Sequence, residues 1–290
     1  MHSAPSGASS KSRRSGSPTG GHRTGERMIP KNRLKAIRQL TEKKGRQEQH
    51  RFIVESVRAV GEAASSGWKI DAVLYVSGFG SDERKNLLLT SLLDRGASLY
   101  EVSEKELEEV SNVVTSQGIV AVAEQRDIPV DEILASKRSV PVVLATDELR
   151  DPGNLGTVIR AADWFGIRGV VLGKGSVDLY NPKVVRSTVG SLFHLPVAHG
   201  VELHAFITQA RAKGYKVAAA DQRGEVALDR FAPEGPLVLV IGNEAHGVSP
   251  ALAKSADVRI NIPKFGEAES LNATAAASII LWHLASRTRA

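Results

Sequence analysis

The chain has 290 residues, 42% apolar and 24% charged, a length that favours two domains and a composition typical of a globular protein. No apolar run approaches the ~18 residues of a membrane span and the first residues lack the apolar stretch of a secretory signal, so a cytoplasmic protein with no membrane partner is expected. Because cysteine is absent altogether, disulfides, thiolate metal sites, iron–sulfur clusters and cysteine nucleophiles are excluded.

Residues 1–27 hold Lys11, Arg13, Arg14, Arg23 and Arg27 against Glu26 alone, so they carry +4 of the net +6. With almost no large apolar side chains they could not offset the entropy of ordering, and they read as a disordered basic tail. Basic charge recurs at Lys31, Arg33, Lys35, Arg38, Lys43, Lys44, Arg46 and Arg51. That density suits phosphate contacts and equally a solvated helix face, so basicity alone does not decide for nucleic acid.

Leu34, Ile37 and Leu40 recur at helical spacing, and Phe52, Val54, Val57 and Val60 suggest a second helix ending at Ser65–Gly67. A strand follows at Ala72–Val76, then a helix over Asp82–Arg95 and a strand at Ser98–Val102. Ser103, with Glu106 three residues later, opens a helix by the capping-box pattern, and Ile119–Ala123 reads as a strand. These elements make an α/β domain over 28–126 with no cluster of acids, bases or metal ligands, so it is assigned to binding. Residues 127–139 read as a linker with one short helix, and a second domain occupies 140–290.

In that second domain the apolar runs Val140–Ala145, Gly169–Leu172, Leu195–Val197, Lys216–Ala220, Leu237–Ile241 and Val258–Ile262 alternate with helical stretches such as Asn154–Phe165 and Glu202–Lys213. The alternation implies a largely parallel sheet covered on both faces, whose ligands bind at the carboxyl ends of the strands. Dinucleotide, phosphate-loop, nucleophile-elbow and H-E-x-x-H signatures are missing; Gly173-Lys174-Gly175-Ser176 is the nearest miss. Three polar, Gly-containing segments instead follow apolar runs: Thr146 to Asp163, Val240 to Ser249, and Ile260 to Asn272.

In order and spacing, with the N-L-G-x-x-x-R, G-N-E and S-L-N cores intact, these segments resemble the three motifs of the SpoU/TrmH family of RNA 2′-O-methyltransferases, over roughly residues 141–287. The resemblance implies a SPOUT-class α/β domain with a deep trefoil knot, S-adenosyl-L-methionine as cofactor, RNA as substrate and a homodimer with sites near the subunit interface. Residues 28–125, through Arg51-Phe52-Ile53-Val54-Glu55 and Gln117-Gly118-Ile119-Val120-Ala121, look like the ribosomal-protein-like RNA-binding domain often attached in this family.

By that resemblance Arg160 is the central catalytic residue. A guanidinium is a poor base, so it is expected to stabilise the developing 2′-alkoxide electrostatically. Asn154 is either the cap of its helix or a contact of the active site. Glu244 is expected to orient Arg160 or a substrate hydroxyl, or else to be a first-turn glutamate favoured by a helix dipole. Ser270 and Asn272 cap the last helix on one reading and enter the catalytic pocket on the other. Gly242, Ile262 and Leu271 match the positions that cradle the cofactor, largely through backbone groups. His246 has no obvious carboxylate partner and is given no role. Lys264 and the run Ala273-Thr274-Ala275 depart from the residues common in relatives, which cofactor binding should tolerate.

Rival readings are a transfer RNA 2′-O-methyltransferase, a non-catalytic RNA-binding or ribosome-assembly protein, a base-nitrogen methyltransferase, and an antibiotic-resistance enzyme acting on one ribosomal nucleotide. The missing cysteine removes methylation at pyrimidine carbon 5, which needs a covalent nucleophile, and Arg160 favours ribose over a base nitrogen. Ribosomal RNA is preferred because of the added domain, by analogy alone. No metal is expected, since the histidines and acids show no ligand spacing.

Overall fold

The computed structural model describes residues 28–111 and 116–288. The expected basic tail, 1–27, lies outside them. In chain order the elements are α1 (Lys31–Arg38), α2 (Lys43–Gln49), β1 (Arg51–Glu55), α3 (Val57–Ser65), β2 (Ile70–Val76), α4 (Glu83–Asp94), β3 (Ser98–Val102), α5 (Glu104–Glu108), β4 (Ile119–Glu124) and α6 (Val130–Ala135). They continue with β5 (Val140–Thr146), α7 (Pro152–Trp164), β6 (Ile167–Gly173), α8 (Pro182–Ser187), β7 (Val197–Val201), α9 (Leu203–Ala212), β8 (Lys216–Ala220), β9 (Val226–Ala227), β10 (Leu237–Ile241), α10 (Pro250–Ser255), β11 (Val258–Asn261) and α11 (Ala273–Thr288).

The first four strands form a mixed sheet in the order β1-β4-β2-β3. Here the start of the helix expected from Phe52 to Ser65–Gly67 is corrected. Phe52, Ile53 and Val54 lie on β1, paired antiparallel with β4, and the helix starts only at Val57. The reason is burial on both faces: Phe52 and Val54 enter one core and Ile53 the other, the period of two of a strand. Ser56, at φ 85°, breaks the strand and accepts a hydrogen bond from the Ala59 amide to cap α3. The Ser103–Glu106 capping box is formed in both directions, and its backbone hydrogen bond holds the Glu106 carboxyl below its usual range.

The other seven strands form one parallel sheet, in the order β7-β6-β5-β10-β8-β11-β9. Successive residues of β5 and β10 point into opposite cores: Leu144 and Leu239 face α7 and α11, whereas Val143 and Val240 face α6, α9 and α10. Residues 127–139, expected as a linker with one short helix, carry α6, whose Ile133 and Leu134 are buried in the second of these cores.

One apolar cluster runs without interruption from the first sheet into the second. Phe52 packs on Tyr180 at 4.6 Å and edge-on to Trp68 at 5.8 Å, and Trp68 meets Phe193 at 5.3 Å. Burial pushes the Tyr180 phenol far above its usual value; the hydroxyl donates to the Arg126 carbonyl and accepts from the Arg126 amide. Alongside, Arg46, with only 3% of its side chain exposed, donates to the carbonyls of Leu40 and Thr41 and, through Nε and Nη2, to Asp178. Removing one partner of a buried pair leaves the other charge uncompensated. Asp178→Ala is therefore expected to cost about 3–5 kcal/mol, read as a lower denaturant midpoint; an unchanged midpoint would refute the burial argument.

Candidate active site

The register of the second sheet brings the first two polar segments together. Ile241, the last residue of β10, pairs with Thr146, the last of β5, so both chains leave the sheet at the same edge. The Asp147 amide donates to the Ile241 carbonyl, and the Asp147 carboxylate accepts from the Ser249 amide. Between them residues 242–248 form a tight turn closed by reciprocal bonds between Asn243 and Gly247 (3.0 and 2.8 Å). The Asn243 side chain accepts from the Ala245 amide and donates to the Glu148 carbonyl.

Gly242 is required there for space: an added Cβ would lie 1.9 Å from the Gly247 carbonyl carbon. Gly156 has the same reason, since a Cβ would meet Ser187 at 2.4 Å where α7 crosses α8.

β11 ends two strands away from β10, beyond β8, so the third segment has to cross back before α11 can pack on α7 and β5. It returns at Asn154. The Asn154 amide nitrogen donates to Glu244 Oε1 at 2.6 Å, and its oxygen accepts from Asn272 Nδ2 and Thr274 Oγ1, both at 3.2 Å. Asn272 meanwhile caps α11, accepting from the Thr274 amide at 2.8 Å. One residue from each segment thus joins a single network.

Two expectations need correcting. Asn154 is not the helix cap: Asp151 holds that place and accepts from the Asn154 amide at 2.7 Å, which releases the Asn154 side chain for the network. Nor is Glu244 beside Arg160 to orient it. Six residues turn a helix by about 600°, leaving the two side chains of α7 about 120° apart and about 9 Å apart along the axis. Arg160 is exposed and makes no hydrogen bond or ion pair with the described residues. Ser270 is exposed as well, Leu271 is half exposed, and Ile262 packs against the core. Asn243, Asp147 and Thr274 carry no role in the sequence reading: Asn243 lies within G-N-E, Asp147 within the first segment, and Thr274 in the run noted only as a departure.

For a nucleoside cofactor the edge offers mostly main chain. Across 262–271 no hydrogen bond to the described residues uses a backbone group, and the segment is largely exposed, whereas Gly242 at the start of the second segment's turn is buried. Free amides and carbonyls at a strand edge are the donor set that an adenine edge needs, so the residues fit that group. No group of three or more His, Asp or Glu among the described residues is placed to hold a metal ion. No helix among them is long and apolar enough to cross a membrane.

Comparison with known proteins agrees with this geometry. Residues 141–282 match the SpoU rRNA Methylase family and residues 31–121 the MRM3-like substrate binding domain. The chain is 34% identical over 252 residues to the 23S rRNA (guanosine(2553)-2′-O)-methyltransferase RlmP of Bacillus subtilis, covering 87% of this chain and 95% of that protein. It is 32% identical over 236 residues to the 23S rRNA (uridine(2479)-2′-O)-methyltransferase of Streptomyces viridochromogenes, covering 80% and 81% of the two chains. The AdoMet-bound rRNA methyltransferase from Sinorhizobium meliloti superposes with a TM-score of 0.79 at 33% identity, over 89% of this chain and 96% of that one. With such relatives the non-catalytic reading falls away: the chain belongs to the SpoU rRNA methylase family of S-adenosylmethionine-dependent RNA 2′-O-methyltransferases.

Proposed function

We propose that this enzyme methylates a ribose 2′-hydroxyl of ribosomal RNA in the cytoplasm, with residues 28–126 gripping RNA and residues 140–290, knotted as expected for the fold, carrying out the transfer. The observation that carries the reading is the Asn154–Glu244–Asn272 network at the sheet edge with Arg160 left unpaired on the same helix. S-adenosylmethionine, when bound, supplies a methyl group activated on a sulfonium.

Arg160, fixed on a helix and always charged, stabilises the negative charge that develops on the 2′-oxygen and holds the neighbouring phosphate. Glu244 and Asn272 fix the Asn154 side chain, and Asn154 and Ser270 present polar atoms to the ribose. Gly242, Ile262 and Leu271 shape the cofactor cradle, the glycine by its close turn and the other two as apolar walls.

The chain acts as a homodimer through α7 and α11. Trp164 on α7 is 84% exposed and Trp282 on α11 is 60% exposed, and the stripe Ala275, Ile279, Trp282 along α11 is open, on two helices that pack against each other. Exposed apolar rings on adjoining helices suit a self-complementary interface. Trp282→Asp is expected to convert a dimer to a monomer in light scattering after size exclusion; a wild-type monomer would overturn the dimer.

The deciding experiment offers purified chain and labelled cofactor to unmodified 23S ribosomal RNA and to transfer RNA, and maps the product by mass spectrometry. Ribose methylation of the ribosomal pool alone supports the reading. Methylation of transfer RNA alone moves the substrate, and a methylated base displaces the ribose chemistry.

A further inference from the structure

Where the two sheets meet, a cavity of about 200 Å³ opens between β1, the start of α3 and α8. Glu55, Arg58 and Gln117 line it from the first sheet's side, Arg186 and Val189 from the second. Glu55 is 4% exposed and is paired with Arg186, while the Gln117 side chain accepts from the Val57 amide at the start of α3. Arg58 is exposed and makes no hydrogen bond or ion pair with the described residues.

Among the described residues, two of the four non-glycine residues with positive φ border this cavity, Ser56 at 85° and the β-branched Val189 at 52°. Such strain costs on the order of 1–3 kcal/mol each and collects where surrounding structure has to hold a site open. Only one of the two arginines has its charge matched by Glu55, so the lining is net cationic. A cavity this small admits a single phosphate or base edge rather than a whole drug-sized ligand.

We propose that this seam cavity is a second RNA subsite, taking a phosphodiester group of a nucleotide that flanks the one being methylated. The subsite rests on the RNA methyltransferase reading. Its connection to the active site is direct: Arg186 stands on α8, which packs on α7 so tightly that the Gly156 backbone touches Ser187, and α7 carries Asn154 and Arg160. Two packed helices have axes about 8–10 Å apart, so the wall of the cavity that carries Arg186 is one helix away from α7, with Arg58 facing it from α3. Each phosphate neutralised by such a group releases counterions, and its removal should flatten the salt dependence of binding.

The test measures binding of unmodified 23S ribosomal RNA by the full chain over a range of salt, for wild type, Arg58→Glu, and Arg84→Glu, an exposed cation on α4 of the same domain that does not line the cavity. Arg58→Glu should weaken binding about tenfold and lower the slope of log affinity on log salt by about 1. Arg84→Glu should change neither, cofactor binding should be equal in all three, and millimolar inorganic phosphate should not compete. Equal losses in the two variants, or none in Arg58→Glu, overturn the subsite while leaving the methyltransferase reading intact. Competition by free phosphate at that level overturns it in favour of a small-anion site. A wild-type chain that neither binds nor methylates this RNA overturns both.

Discussion

Replacing Arg160 with alanine is expected to lower kcat for methyl transfer by about 10²–10³-fold, the usual loss when one preorganised donor to a developing oxyanion is removed. The fold should not notice. Arg160 is exposed and engages none of the described residues, so stability should stay within about 0.5 kcal/mol and cofactor affinity should be unchanged. Arg160→Lys keeps the charge but loses the planar fork, and should recover only part of the rate. Single-turnover transfer at saturating cofactor and RNA separates these effects from binding. A rate within a few fold of wild type in Arg160→Ala would remove the electrostatic role.

The second large effect is expected from Gly242→Ala, for a reason of space. The new methyl would fall 1.9 Å from the Gly247 carbonyl carbon and 2.1 Å from the Val248 nitrogen, and both are backbone atoms that cannot swing aside. The turn has to open, breaking the reciprocal Asn243–Gly247 bonds and loosening the Asn243 link to Glu148. Overpacking of this kind costs about 1–3 kcal/mol, and every 1.4 kcal/mol lost from the bound geometry weakens binding about tenfold. Titration calorimetry with S-adenosylmethionine should therefore show affinity reduced by about tenfold or more in a chain that is still folded by circular dichroism. Wild-type affinity would mean that this turn does not form the cradle.

Sequence alone went furthest where pattern and burial coincide. β5 and β10 are nearly continuous apolar runs, and each is an interior strand with both faces covered. At Phe52–Val54 the same argument failed, because a short fully buried run has no periodicity to separate a strand from a helix, and the helical spacing of Val57 and Val60 was extended too far back. The short helices α8 and α10 went unread although each opens with a polar residue and proline, Asn181-Pro182 and Ser249-Pro250, a cap followed by a first-turn proline. In the site, the three segments carried their order but not their wiring. Nothing in the spacing of Asn154 shows that Asp151 takes the cap, and only the crossing of the third segment over β8 brings Asn272 within reach.

The aromatic seam also bears on how the chain is made. All four strands of the first sheet are complete at Glu124, yet the face bearing Phe52 and Trp68 is closed by Tyr180 and Phe193, the latter emerging 69 residues later. At roughly 5–20 residues per second, the ribosome leaves that apolar face open for several seconds of synthesis. Nascent chains stalled before Tyr180 should accordingly be cut by protease near β1, and chains stalled well past Phe193 should resist. The half that grips RNA is thus finished by the half that follows it, and a protein of this design is vulnerable to aggregation while it is still on the ribosome.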